Sequence, residues 1–222
     1  MFGASDEPAS EMLPVIETSG LVVGQASRKE CHSRSLLHPA VRLLVVNRAG
    51  EFYLRATTQT PGGAQQATGQ QPDSNRAANS PQPAGNHTAN GPQPAGNLTA
   101  GSQSLPWPQS VWDDAAAGHV AFGEKCSEAL YRNAADQIGL RQFHPIHLAS
   151  YLDSTEGARE LVNLYATVGD FGLGPRGDGI SKNGDGGWWT PDKVEEMLGK
   201  GIFTPGFEFD WKNFKDKALA LL

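Results

Sequence analysis

The chain has 222 residues, with 24 acidic side chains against 18 basic ones and a net charge of −6. The length suits one large domain or two small ones, and the negative balance argues against a nucleic-acid coat or a polybasic membrane anchor, which need a positive field. Two cysteines, Cys31 and Cys126, are too few for a disulfide framework, MFGASDEPASEM has no signal-peptide pattern, and no apolar run is long enough to span a bilayer, so the expected location is cytoplasmic.

Residues 1–10 read as a flexible N-terminus. VRLLVVN (41–47) and EFYLR (51–55) predict two strands joined by a turn at Arg48-Ala49-Gly50. At Thr57 the composition changes to Gly, Pro, Gln, Asn, Ala, Ser and Thr, and it stays so to Ser110, with Asp73 and Arg76 as its charged residues. Within this segment GQQPDSNRAAN (69–79), SPQPAGNHTAN (80–90) and GPQPAGNLTAG (91–101) repeat with a period of eleven. A unit without large apolar side chains cannot offset the entropy of ordering it. Residues 57–110 are therefore expected to be a disordered, low-complexity insertion, and not a stacked repeat array.

Beyond the insertion, Cys126, Ala129, Leu130, Ala134 and Ile138 recur at helical spacing and predict a helix from Lys125 to Ile138 that stops at Gly139. IHLASYLD (146–153) and ELVNLYATV (160–168) read as a second pair of strands. TPDKVEEMLGKG (190–201) predicts a helix with Thr190 as N-cap, Pro191 in its first position and Gly199 or Gly201 at its end. DWKNFKDKALALL closes the chain as a last helix. Strands and helices without strict alternation predict an α/β or α+β sandwich.

On the helix of residues 125–138, Asn133, Asp136 and Gln137 stand at i, i+3 and i+4 and share one face. It lies opposite the apolar stripe and is expected to look outward, toward the loop His119–Lys125, which is a good place to hold a metal. GLGPRG (172–177) satisfies G-x-G-x-x-G but runs into another Gly-rich stretch where a dinucleotide-binding turn needs a helix. It reads as a solvated loop, with Arg176 and Lys182 as possible phosphate contacts.

GHVAFGEKCSEALYRNAADQIGL (118–140) resembles the Nudix box: Gly118, Glu124, Arg132, Ala134, Gly139 and Leu140 keep its fixed positions at the right spacing. Asn133, Asp136 and Gln137 stand where the box has glutamates. CHSRSLLHPAVRLLVVNRAGEFYL, WDDAAAGHV, ARELVNLYATV and WWTPDKVEEMLGKGIFTPGF extend the likeness to the Nudix branch related to isopentenyl-diphosphate isomerase. The insertion then occupies what is a short loop in that branch. The resemblance implies an αβα sandwich with a mixed β-sheet, a single domain over residues 11–222, and hydrolysis of a diphosphate linkage in a small molecule with Mg²⁺ or Mn²⁺.

It also implies roles. Glu124 and Arg132 would pair to hold loop to helix. Asp136, Glu124 and Glu160 are the candidate catalytic groups, and Arg132 and His119 the candidate substrate contacts. Asp136, Glu124, His32, His38 and His119 are the candidate metal ligands, because His32, His38, His119 and Glu160 match metal-binding positions of the isomerase branch. Asn133 and Gln137 offer neutral carbonyl oxygens and cannot act as bases. Three imidazoles and a carboxylate suit Mn²⁺ or Zn²⁺ better than Mg²⁺. Read without the resemblance, His32 and His38 equally well pin the start of a strand, and Glu160 equally well is an edge charge. Ala117 stands where the isomerase carries its catalytic Cys, which argues against isomerase chemistry. Two functions follow: a weak, metal-dependent Nudix-type hydrolase, or a catalytically impaired relative that binds a ligand or partner.

Overall fold

The computed structural model describes residues 11–58, 110–154, 159–173 and 186–222. Residues 1–10, the repeats of the 57–110 insertion, Arg176 and Lys182 lie outside them.

Two sheets form. β1 (Met12–Ile16) and β2 (Val22–Ser27) make an antiparallel hairpin. The larger sheet has seven strands, ordered β5-β4-β3-β8-β7, with β6 on β3 and β9 on β4. Its strands are β3 (Leu37–Val46), β4 (Phe52–Thr58), β5 (Ser110–Asp113), β6 (Ala116–His119), β7 (Ile146–Asp153), β8 (Arg159–Val168) and β9 (Gly186–Trp189). β3 and β8 run parallel over their whole length, while the other pairs are antiparallel, so the sheet is mixed.

β3 is central because its sequence leaves it no alternative. LHPAVRLLVV is almost continuously apolar and is buried along its length except at Arg42, which is the pattern of a strand covered on both faces. One of its edges is taken by β8, so β6 and β4 share the other in succession. The β3–β4 turn is closed by Asn47, whose Oδ1 accepts from the amides of Ala49 and Glu51, both at 2.9 Å, and by Gly50, whose φ of 80° only glycine adopts without strain.

Side chains alternate across the sheet and supply two cores. Val41, Leu43 and Val45 of β3 pack with Ala129, Leu130 and Ala134 of helix α2 (Cys126–Ile138). Leu44 and Val46 pack with Leu164 and Ala166 of β8 and with Phe207 and Trp211 of α4 (Pro205–Leu219). Helix α3 (Pro191–Met197) adds Val194 to this second core. Helices thus cover both faces of a mixed sheet, which is the αβα sandwich expected.

Helix α2 begins and ends as its sequence predicts. Glu128 accepts from the Lys125 amide at 2.9 Å, and Gly139 takes a left-handed φ of 70° while Leu140 N donates back to Ala134 O. Helix α3 starts after the Thr190 cap but ends at Met197, short of both glycines proposed as its stop. Helix α4 starts at Pro205, well before Asp210, where the last helix was expected to begin. Its Thr204 cap accepts from Phe207 N at 3.2 Å and also donates to Asp113 at 2.6 Å, tying the helix start to β5. Among the described residues no helix is long and apolar enough to cross a membrane.

Candidate metal centre

Four side chains from four elements converge. His32 comes from α1 (Arg28–Ser33), a short helix capped by Ser27 and anchored by Cys31, which is buried against Leu13 and Ala26 of the hairpin. His38 comes from β3, His119 from β6 and Glu160 from β8. The pairings set their places: His38 is the register partner of Glu160, and His119 that of Ala40. His119 is the last residue of β6 and Glu160 the second of β8.

The three imidazole centroids are 5.0–5.3 Å apart. His32 Nε2 faces His119 Nε2 at 3.0 Å, and Glu160 Oε1 lies 3.3 Å from His119 Nε2 and 3.8 Å from His38 Nε2. One ligand atom from each of the four falls within 4.8 Å of all the others. Ligands about 2.0–2.2 Å from a common ion are themselves roughly 3–4 Å apart, so the four atoms fit around a single divalent cation.

His38 decides what the cluster accepts. Its ring is fully buried, and Nδ1 lies 2.7 Å from the Leu36 carbonyl oxygen. A carbonyl only accepts, so Nδ1 carries the proton and Nε2 presents a bare lone pair. That Nε2 is buried without a hydrogen-bond partner. Such an atom costs about 1–3 kcal/mol unless something binds it, and the other three ligand atoms surround the place where a cation would do so. The carbonyl also orients the ring, as in metal sites generally. Burial and the neighbouring imidazoles push His32 down to about 4, and burial lowers His38 as well. Burial works against Glu160 ionising, but His119, Arg42 and His38 hold it at about 2. At neutral pH His32 and His38 are unprotonated and Glu160 is anionic, the states in which these groups bind metals.

The box helix does something else. Glu124 receives Arg132 Nε at 2.9 Å, Arg132 Nη2 at 2.8 Å and the Ala121 amide at 2.9 Å. Arg132 Nη2 also donates to the His119 carbonyl at 3.1 Å. Both side chains are thus occupied in fixing the loop that carries His119 to α2. Asn133 does not look outward as its spacing suggested. It is buried, donates to Ala129 O at 2.9 Å, and fills the room left by Gly118, where a Cβ would lie 2.3 Å from its Oδ1. Gln137 is half-buried and pairs with the free edge of β6: its Nε2 donates to Ala117 O at 2.7 Å and its Oε1 accepts from Ala117 N at 3.2 Å. Nε2 also donates to Asn133 Oδ1 at 2.8 Å. Helical periodicity cannot register this, because a four-residue strand arriving from elsewhere covers the face. Asp136 stays exposed on α2 and is not among the clustered ligand atoms. Gly118 meets Asn133, and His119, the next residue along β6, points to the other side of the strand by alternation.

Sequence reasoning also missed a buried charged group on the α4 face. Arg42 Nη2 donates to Asp153 at 2.6 Å; its Nη1 donates to the Tyr151 hydroxyl at 3.1 Å and to Asp210 at 3.3 Å. The Tyr151 hydroxyl donates in turn to Asp210. Asp114 is fully buried beside Asp210 with neither oxygen partnered by a donor. Burial and the adjacent Asp210 and Asp113 push it well up. A proton on Asp114, shared with Asp210, gives both carboxyls a partner. The signal was present in VRLLVV, where a charge interrupts a buried apolar run.

No family profile and no curated protein sequence matches the chain. Among solved structures, it is similar to DR0079 from Deinococcus radiodurans, at 17% identity over 94% of this chain and 99% of that one, with a TM-score of 0.53. The MutT protein from Methanosarcina mazei Go1 aligns at 14% identity over 82% of this chain and 94% of that one. A hydrolase of the NUDIX family from Clostridium perfringens aligns at 12% over 83% and 97%, and both have TM-scores of 0.43. The likeness to DR0079 is one of fold.

Proposed function

We propose that the chain is a Nudix-type hydrolase of diphosphate linkages in small molecules. Its divalent cation would be held by His32, His38, His119 and Glu160, and not by the box helix. The observation that carries this reading is the buried, unpartnered Nε2 of His38, aimed at three further ligand atoms. Three imidazoles and one carboxylate favour Mn²⁺ or Zn²⁺ over Mg²⁺, which prefers an all-oxygen shell. When bound, such a cation supplies the positive charge that a diphosphate needs and that the acidic chain otherwise lacks.

The chain's own residues divide the remaining work. The Leu36 carbonyl fixes the His38 tautomer, and Glu160 stays anionic beside His119. Arg132 and Glu124 hold the His119 backbone in place. The role proposed for Arg132 is therefore support, with its half-exposed side chain left to meet substrate only at its edge.

A second reading is supported by a separate observation. Asn133 and Gln137 are satisfied by the protein itself, as expected of a relative that keeps the scaffold and binds a ligand without turnover. One experiment separates the two. The protein is stripped with chelator and reloaded with Mn²⁺, Zn²⁺ or Mg²⁺. Phosphate release is then measured over nucleoside diphosphates, sugar nucleotides and isoprenoid diphosphates. The hydrolase reading predicts turnover that returns with Mn²⁺ or Zn²⁺ and vanishes in His119→Ala. Tight metal binding with no turnover on any substrate supports the second reading, and no binding of any of the three ions overturns the metal centre.

A further inference from the structure

We infer that Arg42 is a positioning residue for this centre, locking the Glu160 carboxylate in place from beneath α4. This rests on the reading of His32, His38, His119 and Glu160 as one metal centre. His38 and Arg42 are four residues apart on β3 and so share a face, the one that also carries Leu44 and Val46 toward α4. The register then places His38, Glu160 and Asp153 in one row across β3, β8 and β7. Two of the three are adjacent carboxylates, which would repel each other, and both are largely sheltered from solvent. Arg42 lies two steps along the same face and reaches Asp153 at 2.6 Å. It neutralises the carboxylate that the register sets beside Glu160.

The guanidinium is not free to move. Asp153, Tyr151 and Asp210 hold it from β7 and α4, and its side chain is 12% exposed. The helix is shaped around it. A Cβ built on Gly206 would lie 2.7 Å from Arg42 Nη1 and 3.0 Å from Cζ and Nη2. Gly206 is in the first turn of α4, after Pro205, where an alanine would otherwise favour the helix. Glycine at this position is accounted for by the space Arg42 needs.

A purely structural Arg42 would tie α4 to the sheet and leave the centre unchanged. Two variants distinguish the cases: Arg42→Met removes the charge, and Gly206→Ala keeps it but displaces the guanidinium. The probe is Co²⁺, whose visible absorption reports the geometry of its ligands, with affinity read by competition against a chelator. The inference predicts that both variants bind Co²⁺ at least tenfold more weakly than the unmodified protein and that their absorption bands shift. Gly206→Ala serves alone if Arg42→Met fails to fold. A folded Gly206→Ala protein with unaltered Co²⁺ affinity and spectrum overturns the positioning role while leaving the centre standing. Failure of the unmodified protein to bind Co²⁺ overturns the centre, and this inference with it.

Discussion

The box helix and the histidine cluster both gather polar side chains beside β6, but their hydrogen bonding is opposite. On α2, Asn133 and Gln137 find partners inside the protein, and their amides serve as struts between helix and strand. In the cluster, His38 is buried with one nitrogen satisfied and the other bare. A buried polar atom without a partner is costly, so where it persists beside other ligand atoms it points to something that binds there. Unmet hydrogen-bonding capacity therefore makes the histidine cluster a stronger candidate site than the helix face. Glu124 and Arg132 fix the loop to α2 and Gly139 ends the helix, while Asn133 and Gln137 serve as packing.

The histidines should respond most strongly to substitution. His119→Ala should lower Zn²⁺ affinity by about a hundredfold or more, since even outer partners of metal ligands are worth about 10–100-fold. Competition against a chromophoric chelator measures this. If Asp136→Asn causes the larger loss, the box helix holds the ion after all.

Next in size is the cost of placing glutamates on the α2 face. Gln137→Glu removes the amide that donates to Ala117 O and Asn133 Oδ1 and puts a carboxylate against that carbonyl. Asn133→Glu adds bulk where Gly118 leaves no room. Each should lower unfolding free energy by about 1–3 kcal/mol, measured by urea denaturation. Asp136→Glu, on the exposed part of the same helix, should stay within about 0.5 kcal/mol. Added Mg²⁺ that fully restored the stability of a variant carrying all three changes would show that the face can still hold a cation.

Asp114→Asn should have a smaller effect, on the α4 face of the sheet. If Asp114 already carries a proton, the amide replaces a neutral acid, and stability at neutral pH should change by no more than about 1 kcal/mol. The sign of its pH dependence follows. A carboxyl whose folded pKa is raised contributes stability that is lost as pH rises, so the unmodified protein should gain less than Asp114→Asn does on going from pH 4 to pH 7. The groups that face it are Asp113, Asp210 and Arg42. The smallest effect is expected from the insertion. On composition alone, replacing residues 60–106 with a short Gly/Ser linker should shift stability by no more than about 1 kcal/mol, because loop length enters logarithmically. A large loss on thermal melting would contradict that proposal.

Much of the fold was legible because its signals are local. The β3–β4 turn follows from Gly50 and its neighbours, α2 from its apolar stripe and Gly139, and β7 and β8 from two runs of strand-forming residues. The start of α4 was missed because Pro205-Gly206 looks like a breaker. Yet Thr204-Pro205 repeats the Thr190-Pro191 start of α3, and Gly206 is explained by Arg42, distant in sequence. β5, β6 and β9 have four residues each, too few for periodicity to register. The site was harder. His32 and His119 meet across 87 residues, and their convergence was legible only through the family resemblance. The inward turn of Asn133 and Gln137 depends on where β6 lands, which no local pattern encodes.

The most direct test is to locate the ion. Crystals grown with Mn²⁺ or Zn²⁺ would give an anomalous-scattering peak at the bound metal. One strong peak is expected about 2.0–2.2 Å from Nε2 of His32, His38 and His119, with Glu160 completing the set. A peak beside Asp136 and Glu124, with the three imidazoles empty, would contradict it.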